Sequence, residues 1–149
     1  MTIRWVKGSA YLTIDGTVKV DCWCDVRTIA NGRRKRHEVV YTIPGKQPYD
    51  PVTFPKGKWK VGRPKKRETP YLRPWFIPTD AWIELDIWDV DKSGYLGPSG
   101  LKVIDRDYGL HFSTSPTTLG CIRIAKEQDL LTLVKMIQEC KEEVFLEVL

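Results

Sequence analysis

One histidine and one cysteine, joined by a short polar connection, are the side chains in this sequence best suited to chemistry. They are His111 and Cys121, and apolar residues flank both of them: Leu110, Phe112, Ile122 and Ile124. A cysteine thiol is nucleophilic only as its thiolate, and a neighbouring imidazole is the usual group that removes its proton. The flanking residues predict that both side chains lie at or near strand edges. We expect 114–120, broken by Pro116 and Gly120, to form the loop of a hairpin that brings imidazole and thiol within reach.

The spacing of this pair, taken alone, permits two interpretations. A lone cysteine in an apolar strand is usually a small buried hydrophobe, and His–Cys pairs at arbitrary spacing are common. Gly120 favours the catalytic interpretation, because a residue without a Cβ before the nucleophile lets backbone N–H groups approach a substrate carbonyl.

The residues around Cys121 also resemble a family signature. Thr118-Leu119-Gly120-Cys121-Ile122-Arg123 is similar to the Ser/Thr-His-Gly-Cys-Ile/Leu-Arg/Asn motif of YkuD-type L,D-transpeptidases, with Leu119 at the position of the motif's His. His111 falls where that family keeps its catalytic histidine. Phe54 to Val61 resembles the family's Thr-Pro-x-Gly-x-aromatic-x-Ile/Val segment. The short His–Cys interval resembles the compact branch found among type VI secretion effectors.

This resemblance implies a β-sandwich with mixed strands and acyl transfer on peptidoglycan stem peptides. Cys121 would be the nucleophile, His111 the general base and acid, and the backbone N–H groups of Gly120 and Cys121 the oxyanion donors. Arg123 would bind a substrate carboxylate or support the site. Further supporting residues are Ser113, Ser115 and Thr118. Crosslinking, D-amino-acid exchange and L,D-carboxypeptidase activity are all open outcomes, and none needs a metal or cofactor.

Length and composition predict one mainly β domain over residues 1–149. Sixteen aromatic residues, ten Pro and eleven Gly favour many short strands and turns. The predicted strands are Tyr11–Ile14, 18–26, 37–43, 58–61, 75–77, 81–88 and 144–149. Predicted loops cover 45–55 and 65–74, and 89–96 predicts an acidic turn resembling half of a calcium loop. Residues 126–141 predict the one packed helix, from the stripe Leu130, Leu133, Val134, Met136 and Ile137.

Four cysteines and two histidines do not form a metal or disulfide framework. Cys22 and Cys24 are two apart in a strand pattern and would face the same way, which disfavours a bond between them. We predict that these two and Cys140 are core or half-core residues. With only His37 and His111 available, a zinc site is not expected.

The net charge of +5 is concentrated in residues 33–36 and 56–67. No zinc-finger, RNA-recognition or helix-turn-helix pattern accompanies these basic runs, so nucleic acid is not the expected partner. Free carboxylates of peptidoglycan stems fit the same charge.

Nothing in the sequence predicts a membrane span, and no apolar segment of a secretory signal follows Met1. Either this sequence is a mature form, or the protein leaves its cell by another route or is carried in by a phage. The resemblance implies action in the periplasm or wall, as a delivered effector with an immunity protein or as a prophage product. Two other classes remain open. One is a non-catalytic module that binds an anionic glycan or nucleic acid and buries an inert Cys121; the other is a papain-like enzyme, in which the cysteine usually precedes the histidine.

Overall fold

The computed structural model describes residues 1–24, 53–67, 75–90, 96–114, 118 and 120–149, and its architecture is mainly β. The strands are β1 Thr2–Trp5, β2 Tyr11–Ile14, β3 Val18–Trp23, β4 Gly57–Val61, β5 Lys65–Lys66, β6 Trp75–Pro78, β7 Ile83–Val90, β8 Leu96–Asp105, β9 Gly109–Phe112, β10 Ile122–Ile124 and β11 Val144–Val148. The helix in this part of the chain is α1, Glu127–Glu139.

The described strands form a curled mixed sheet in the order β4-β11-β1-β2-β3-β10-β9-β6-β5, with β7 and β8 as a separate antiparallel pair. Two neighbouring pairs are parallel, β1 with β11 and β9 with β10, and the others are antiparallel. The curl brings β4 to the segment after β6. Val61 forms a bridge with Thr79, and the Gly62 N–H donates to the Pro78 carbonyl at 2.9 Å. Backbone hydrogen bonds therefore connect the two ends of the sheet.

One face of the curled sheet is apolar across almost all of its strands. Every second side chain along a strand points inward, as Ile3 and Trp5 do on β1. Val144, Leu146 and Val148 do the same on β11. Buried members of this face are Ile3, Trp5, Leu12, Ile14, Val20, Cys22, Val61, Ile77, Leu110, Ile122, Ile124, Val144, Leu146 and Val148. Helix α1 adds its buried stripe Leu130, Leu133, Val134 and Ile137 to the same core and contacts β6, β9 and β10. None of the helices in the described ranges has the length and apolarity to cross a membrane.

The predicted elements that fall on described residues largely match. The hairpin β2–β3 turns at Asp15 and Gly16, whose φ angles of 48° and 73° are the left-handed values that such turns require. The predicted strands at 58–61, 75–77, 81–88 and 144–149 correspond to β4, β6, β7 and β11. The predicted helix is α1 with its apolar stripe inward. The expected strand 37–43, the basic run 33–36, most of the loop 45–55 and most of the acidic turn 89–96 lie outside the described residues.

Two local predictions were wrong. His111 and Cys121 do not lie on the arms of a hairpin, because β9 and β10 are parallel and 113–121 is a crossover between neighbouring strands. The segment predicted as a loop from Lys65 begins with the short strand β5, which pairs with β6. In both cases the local turn signals do not specify which strands pair or in which direction.

Candidate functional site

The parallel pairing of β9 and β10 places His111 and Cys121 on one face of the sheet. Ile122 pairs with Leu110 and Arg123 with His111, so Cys121, directly before β10, continues the register beside Gly109. Residues 109, 111, 121 and 123 therefore share a face, opposite the apolar face that packs on α1. Cys121 and His111 are thus diagonal neighbours on adjacent parallel strands.

A row of cationic and aromatic side chains crosses the same face, and we call it the cross-strand row. Its members, in order over β3, β10, β9 and β6, are Trp23, Arg123, His111 and Phe76. The Arg123 guanidinium lies over the Trp23 ring, 4.1 Å from its centroid. The Phe76 and His111 rings are inclined by 27° with centroids 6.4 Å apart, and Arg67 covers Phe76 at 4.0 Å. Each cation is thus held against an aromatic ring.

The Cys121 thiol points toward the backbone that precedes β9. Its Sγ donates to the carbonyl oxygen of Asp107 at 3.6 Å. Asp107 has a φ of 68°, a left-handed conformation that is uncommon for a residue with a Cβ. Burial of the sulfur raises the pKa of Cys121 to about 11, with the Gly109 backbone opposing that shift. The thiol is therefore protonated at neutral pH in this arrangement.

His111 is buried, with 5% of its surface exposed, and its Nδ1 atom has no hydrogen-bond partner. Burial lowers the pKa of the His111 imidazole below 6.5, and the charges of Arg123 and Arg67 lower it further against an opposing contribution from the Phe112 backbone. The neutral imidazole, which is the form that accepts a proton, is therefore favoured at neutral pH. No hydrogen bond joins it to Cys121 among the described side chains.

Gly120 and Thr118 form a compact turn just before the thiol. The Gly120 N–H donates to Thr118 Oγ1 at 3.2 Å, and the Thr118 hydroxyl donates to the Cys121 carbonyl at 2.8 Å. Gly120 has a φ of 119°, which favours glycine. The Gly120 N–H, predicted as an oxyanion donor, is thus engaged with a side chain in this state.

Gly109 and Phe76 form the apolar wall beside the thiol, and the sequence interpretation included neither. A Cβ at Gly109 would lie 2.4 Å from both the Ile77 carbonyl oxygen and Phe76 Cζ. Gly109 therefore lets the Phe76 ring pack directly on the backbone next to Cys121. The sequence did hold a signal for this wall: Gly109 begins an apolar strand two residues before His111. A glycine within a strand often marks a place where another group packs closely on the backbone.

Arg123, predicted to bind a substrate carboxylate or support the site, is buried, with 6% of its surface exposed. Its Nε atom has no hydrogen-bond partner, and no acidic side chain of the described residues pairs with it. Burying a guanidinium without a counter-charge is costly, so this position favours binding of an anion.

The other predicted positions are less informative. Ser113 is half-buried just after β9, and Ser115 lies outside the described residues. The cysteines Cys22 and Cys24 are buried and Cys140 is half-buried, all as free thiols, which confirms their predicted core and half-core positions. The Cys24 thiol donates to the Gly120 carbonyl at 3.2 Å. Where side chains are described, no group of three or more His, Cys, Asp or Glu residues is arranged to hold a metal.

Comparison with known proteins gives no relative: no family model, curated protein or solved structure matches this chain.

Proposed function

We propose that this protein is a cysteine-dependent acyltransferase acting on peptidoglycan stem peptides, an L,D-transpeptidase with L,D-carboxypeptidase or exchange activity. The observation that carries the proposal is the placement of Cys121 and a buried, neutral His111 as diagonal neighbours on one face of two parallel strands. The signature around Cys121 supplies the substrate class.

In the proposed reaction the Cys121 thiol rotates from the Asp107 carbonyl toward His111. The imidazole takes the thiol proton as the sulfur attacks the stem carbonyl carbon. The tetrahedral intermediate collapses with cleavage of the C–N bond, and His111 returns the proton to the leaving D-alanine amine. The thioester is then attacked by an amine of a second stem, by a D-amino acid or by water, and His111 takes a proton from that nucleophile. The C–S bond breaks, and His111 passes this proton to the Cys121 sulfur.

Charge that develops on the substrate oxygen needs donors close to the thiol. The proposed donors are the backbone N–H groups of Gly120 and Cys121. For Gly120 to stabilise the oxyanion, its N–H must stop donating to the Thr118 hydroxyl and donate to the substrate oxygen instead. Arg123 is the proposed partner of a substrate carboxylate, because it is a buried cation on the same face.

The direct test is mass spectrometry of muropeptides incubated with the protein and with the variants Cys121→Ala and His111→Gln. We expect tetrapeptide stems to be trimmed, exchanged or crosslinked by the unmutated protein only. Each variant should lose about a thousandfold or more in rate, the scale typical for loss of a nucleophile or its base. Cys140→Ser is the matched control, since it removes a half-buried thiol remote from His111. Tetrapeptide stems left intact by the unmutated protein would refute the proposal.

A second candidate is a non-catalytic module that binds an anionic polymer. The observation that favours it is the raised pKa of Cys121, about 11, with the thiol bonded to Asp107 rather than to His111. Iodoacetamide alkylation of Cys121 in the Cys140→Ser background separates the two. If the protein is an acyltransferase, His111→Gln should slow alkylation at pH 7 by about tenfold or more. If Cys121 is inert, the variant should react at the unmutated rate, and that rate should rise about tenfold per pH unit toward pH 11.

We also propose that the activity is exerted in the periplasm or wall after delivery into a competing cell, where an immunity protein would protect the producer. Expression directed to the cytoplasm or to the periplasm tests this. Toxicity confined to the periplasmic form is expected, and equal toxicity in both compartments would contradict a wall target.

A further inference from the structure

Basic residues are concentrated in one short segment of the described chain. Residues 56–67 contain seven Lys and Arg and no Asp or Glu, in a protein of net charge +5. The remaining residues together carry two more acidic than basic side chains. Within the described residues, this segment is thus the main concentration of positive charge.

The fold turns this segment into one continuous feature. It includes β4 and β5, which lie at opposite ends of the sheet order, and the curl of the sheet joins those ends through Val61 and Thr79. Lys58 is exposed on β4, and Lys65 and Lys66 are exposed on β5. We define the cationic strip as Lys56, Lys58, Arg63, Lys65, Lys66 and Arg67.

The strip has no counter-charge within the described residues. The ion pairs found there are Arg4–Glu147, Lys102–Glu84 and Lys60–Glu143. Among the ion pairs of the described residues, Lys60, which alternates with Lys58 along β4, is the cation of the segment that takes part. The six cations of the strip form no ion pair with the acidic side chains of that part of the chain.

The strip ends at the candidate site. Arg67, its last member, lies over Phe76, and the opposite neighbour of that ring is His111. The same ring packs against Gly109 beside Cys121. A chain molecule lying along the strip would therefore have one of its units next to the thiol.

Two aromatic rings described near the strip each carry one of its cations, which bears on the class of polymer. Lys58 lies over Phe145 at 4.6 Å, and Arg67 covers Phe76 at 4.0 Å. Proteins that hold single-stranded nucleic acid offer free aromatic faces for the bases in addition to cations. Here Lys58 and Arg67 each cover a ring face, which favours a polymer recognised by its charges.

We propose that the cationic strip is a docking surface for polymeric peptidoglycan, holding the repeated carboxylates of its stem peptides while one stem reaches Cys121. This inference rests on the proposed function. It adds that the enzyme prefers a polymer to a free muropeptide, because several weak ion pairs act together only on a multivalent chain.

Binding and turnover are to be measured separately. In the Cys121→Ala background, which cannot form a thioester, sedimentation with insoluble peptidoglycan gives affinity at low and high salt. The strip variant is Lys58→Glu, Lys65→Glu and Lys66→Glu together. The matched control is Lys19→Glu, Lys126→Glu and Lys135→Glu, three exposed lysines outside the strip with the same change in charge. Circular dichroism checks that both remain folded.

We expect the strip variant to lose about tenfold or more in affinity and the control variant about twofold or less, with binding weakened by salt. With Cys121 present, the strip variant should keep its rate on a soluble muropeptide monomer and lose rate on insoluble wall. Equal losses for the two variants, or tighter binding to a DNA oligonucleotide than to wall polymer, would overturn the docking surface. Absence of turnover on both substrates by the unmutated protein would instead refute the proposed function, while sedimentation would still decide the docking surface.

Discussion

The two faces of β3, β10, β9 and β6 are both largely buried, and they differ in the polarity of their side chains. On the inner face lie Cys22, Ile124, Ile122, Leu110 and Ile77, packed with α1. On the outer face lie Trp23, Arg123, His111 and Phe76. Leu110 is 0% exposed and His111, the next residue, 5%. Burial of the apolar inner face costs no hydrogen bonds to water. The outer face buries two polar atoms without hydrogen-bond partners, His111 Nδ1 and Arg123 Nε.

This difference separates a face that stabilises the fold from a face that carries unsatisfied polar groups. Unsatisfied buried polar groups lower the stability of a folded chain, and native proteins keep few of them. Their concentration on one face, beside a thiol, is expected where a ligand supplies the missing partners. Substitutions on the two faces should therefore have opposite signatures.

The largest effect on stability is expected from Leu110→Ala, paired with His111→Gln one residue away on β9. Truncating a fully buried leucine removes apolar contacts and leaves a cavity, so the free energy of unfolding should fall by about 2–5 kcal/mol. His111→Gln should change it by only about 1 kcal/mol and abolish muropeptide turnover. Urea denaturation and turnover assays measure the two quantities. If His111→Gln proves the more destabilising, the outer face is structural and the comparison fails.

Gly109→Ala should have the next largest effect, because its new Cβ would lie against the Ile77 backbone and the Phe76 ring. The added methyl group would meet a backbone oxygen and an aromatic ring at 2.4 Å. Overpacking of this kind costs about 1–3 kcal/mol. Gly62→Ala is the control, where the nearest atom is Pro78 Cγ at 3.1 Å. If the denaturation midpoints fall equally for both variants, the packing around Gly109 is no tighter than that around Gly62.

Acid should destabilise the protein through the outer face. Burial lowers the pKa of folded His111 below 6.5, so the unfolded chain binds its proton first as the pH falls. The free energy of unfolding should therefore decrease from pH 6.5 downward until the folded state also protonates, with a slope of at most about 1.4 kcal/mol per pH unit. Thermal denaturation at a series of pH values from 7.5 to 5 measures this loss of stability. His111→Gln should flatten the profile in that window, and an unchanged profile would assign the acid sensitivity to other groups.

The smallest effect is expected from Thr118→Val in the turn before the thiol. The hydroxyl links Gly120 to the Cys121 carbonyl, and its loss should cost about 1 kcal/mol. Thr132→Val removes an exposed hydroxyl that donates to the Gln128 carbonyl at 3.0 Å, and should change stability by about 0.5 kcal/mol or less. Denaturation by urea compares the two. Equal stability of the variants would mean that the turn does not depend on Thr118.

The sequence by itself determined part of the elements and the candidate groups; β1 and β8 were not among the predicted strands. Period-two alternation predicted β3, Asp15-Gly16 predicted the turn between β2 and β3, and the apolar stripe predicted α1, because these features depend on residues a few positions apart. The same local information singled out His111 and Cys121 as a candidate pair. Whether they catalyse acyl transfer stays a prediction.

Only the tertiary structure decided how those groups meet. Pairing β9 in parallel with β10 depends on contacts between remote segments, and it replaced the expected hairpin by a crossover. That register set His111 beside Arg123, aimed the thiol at Asp107, and required Gly109 to make room for Phe76. The curl of the sheet joined β4 to the segment after β6 and gathered the basic residues of 56–67 into one strip. Short-range patterns specify which face of a strand is buried, while the choice of neighbouring strand depends on the packing of the whole sheet.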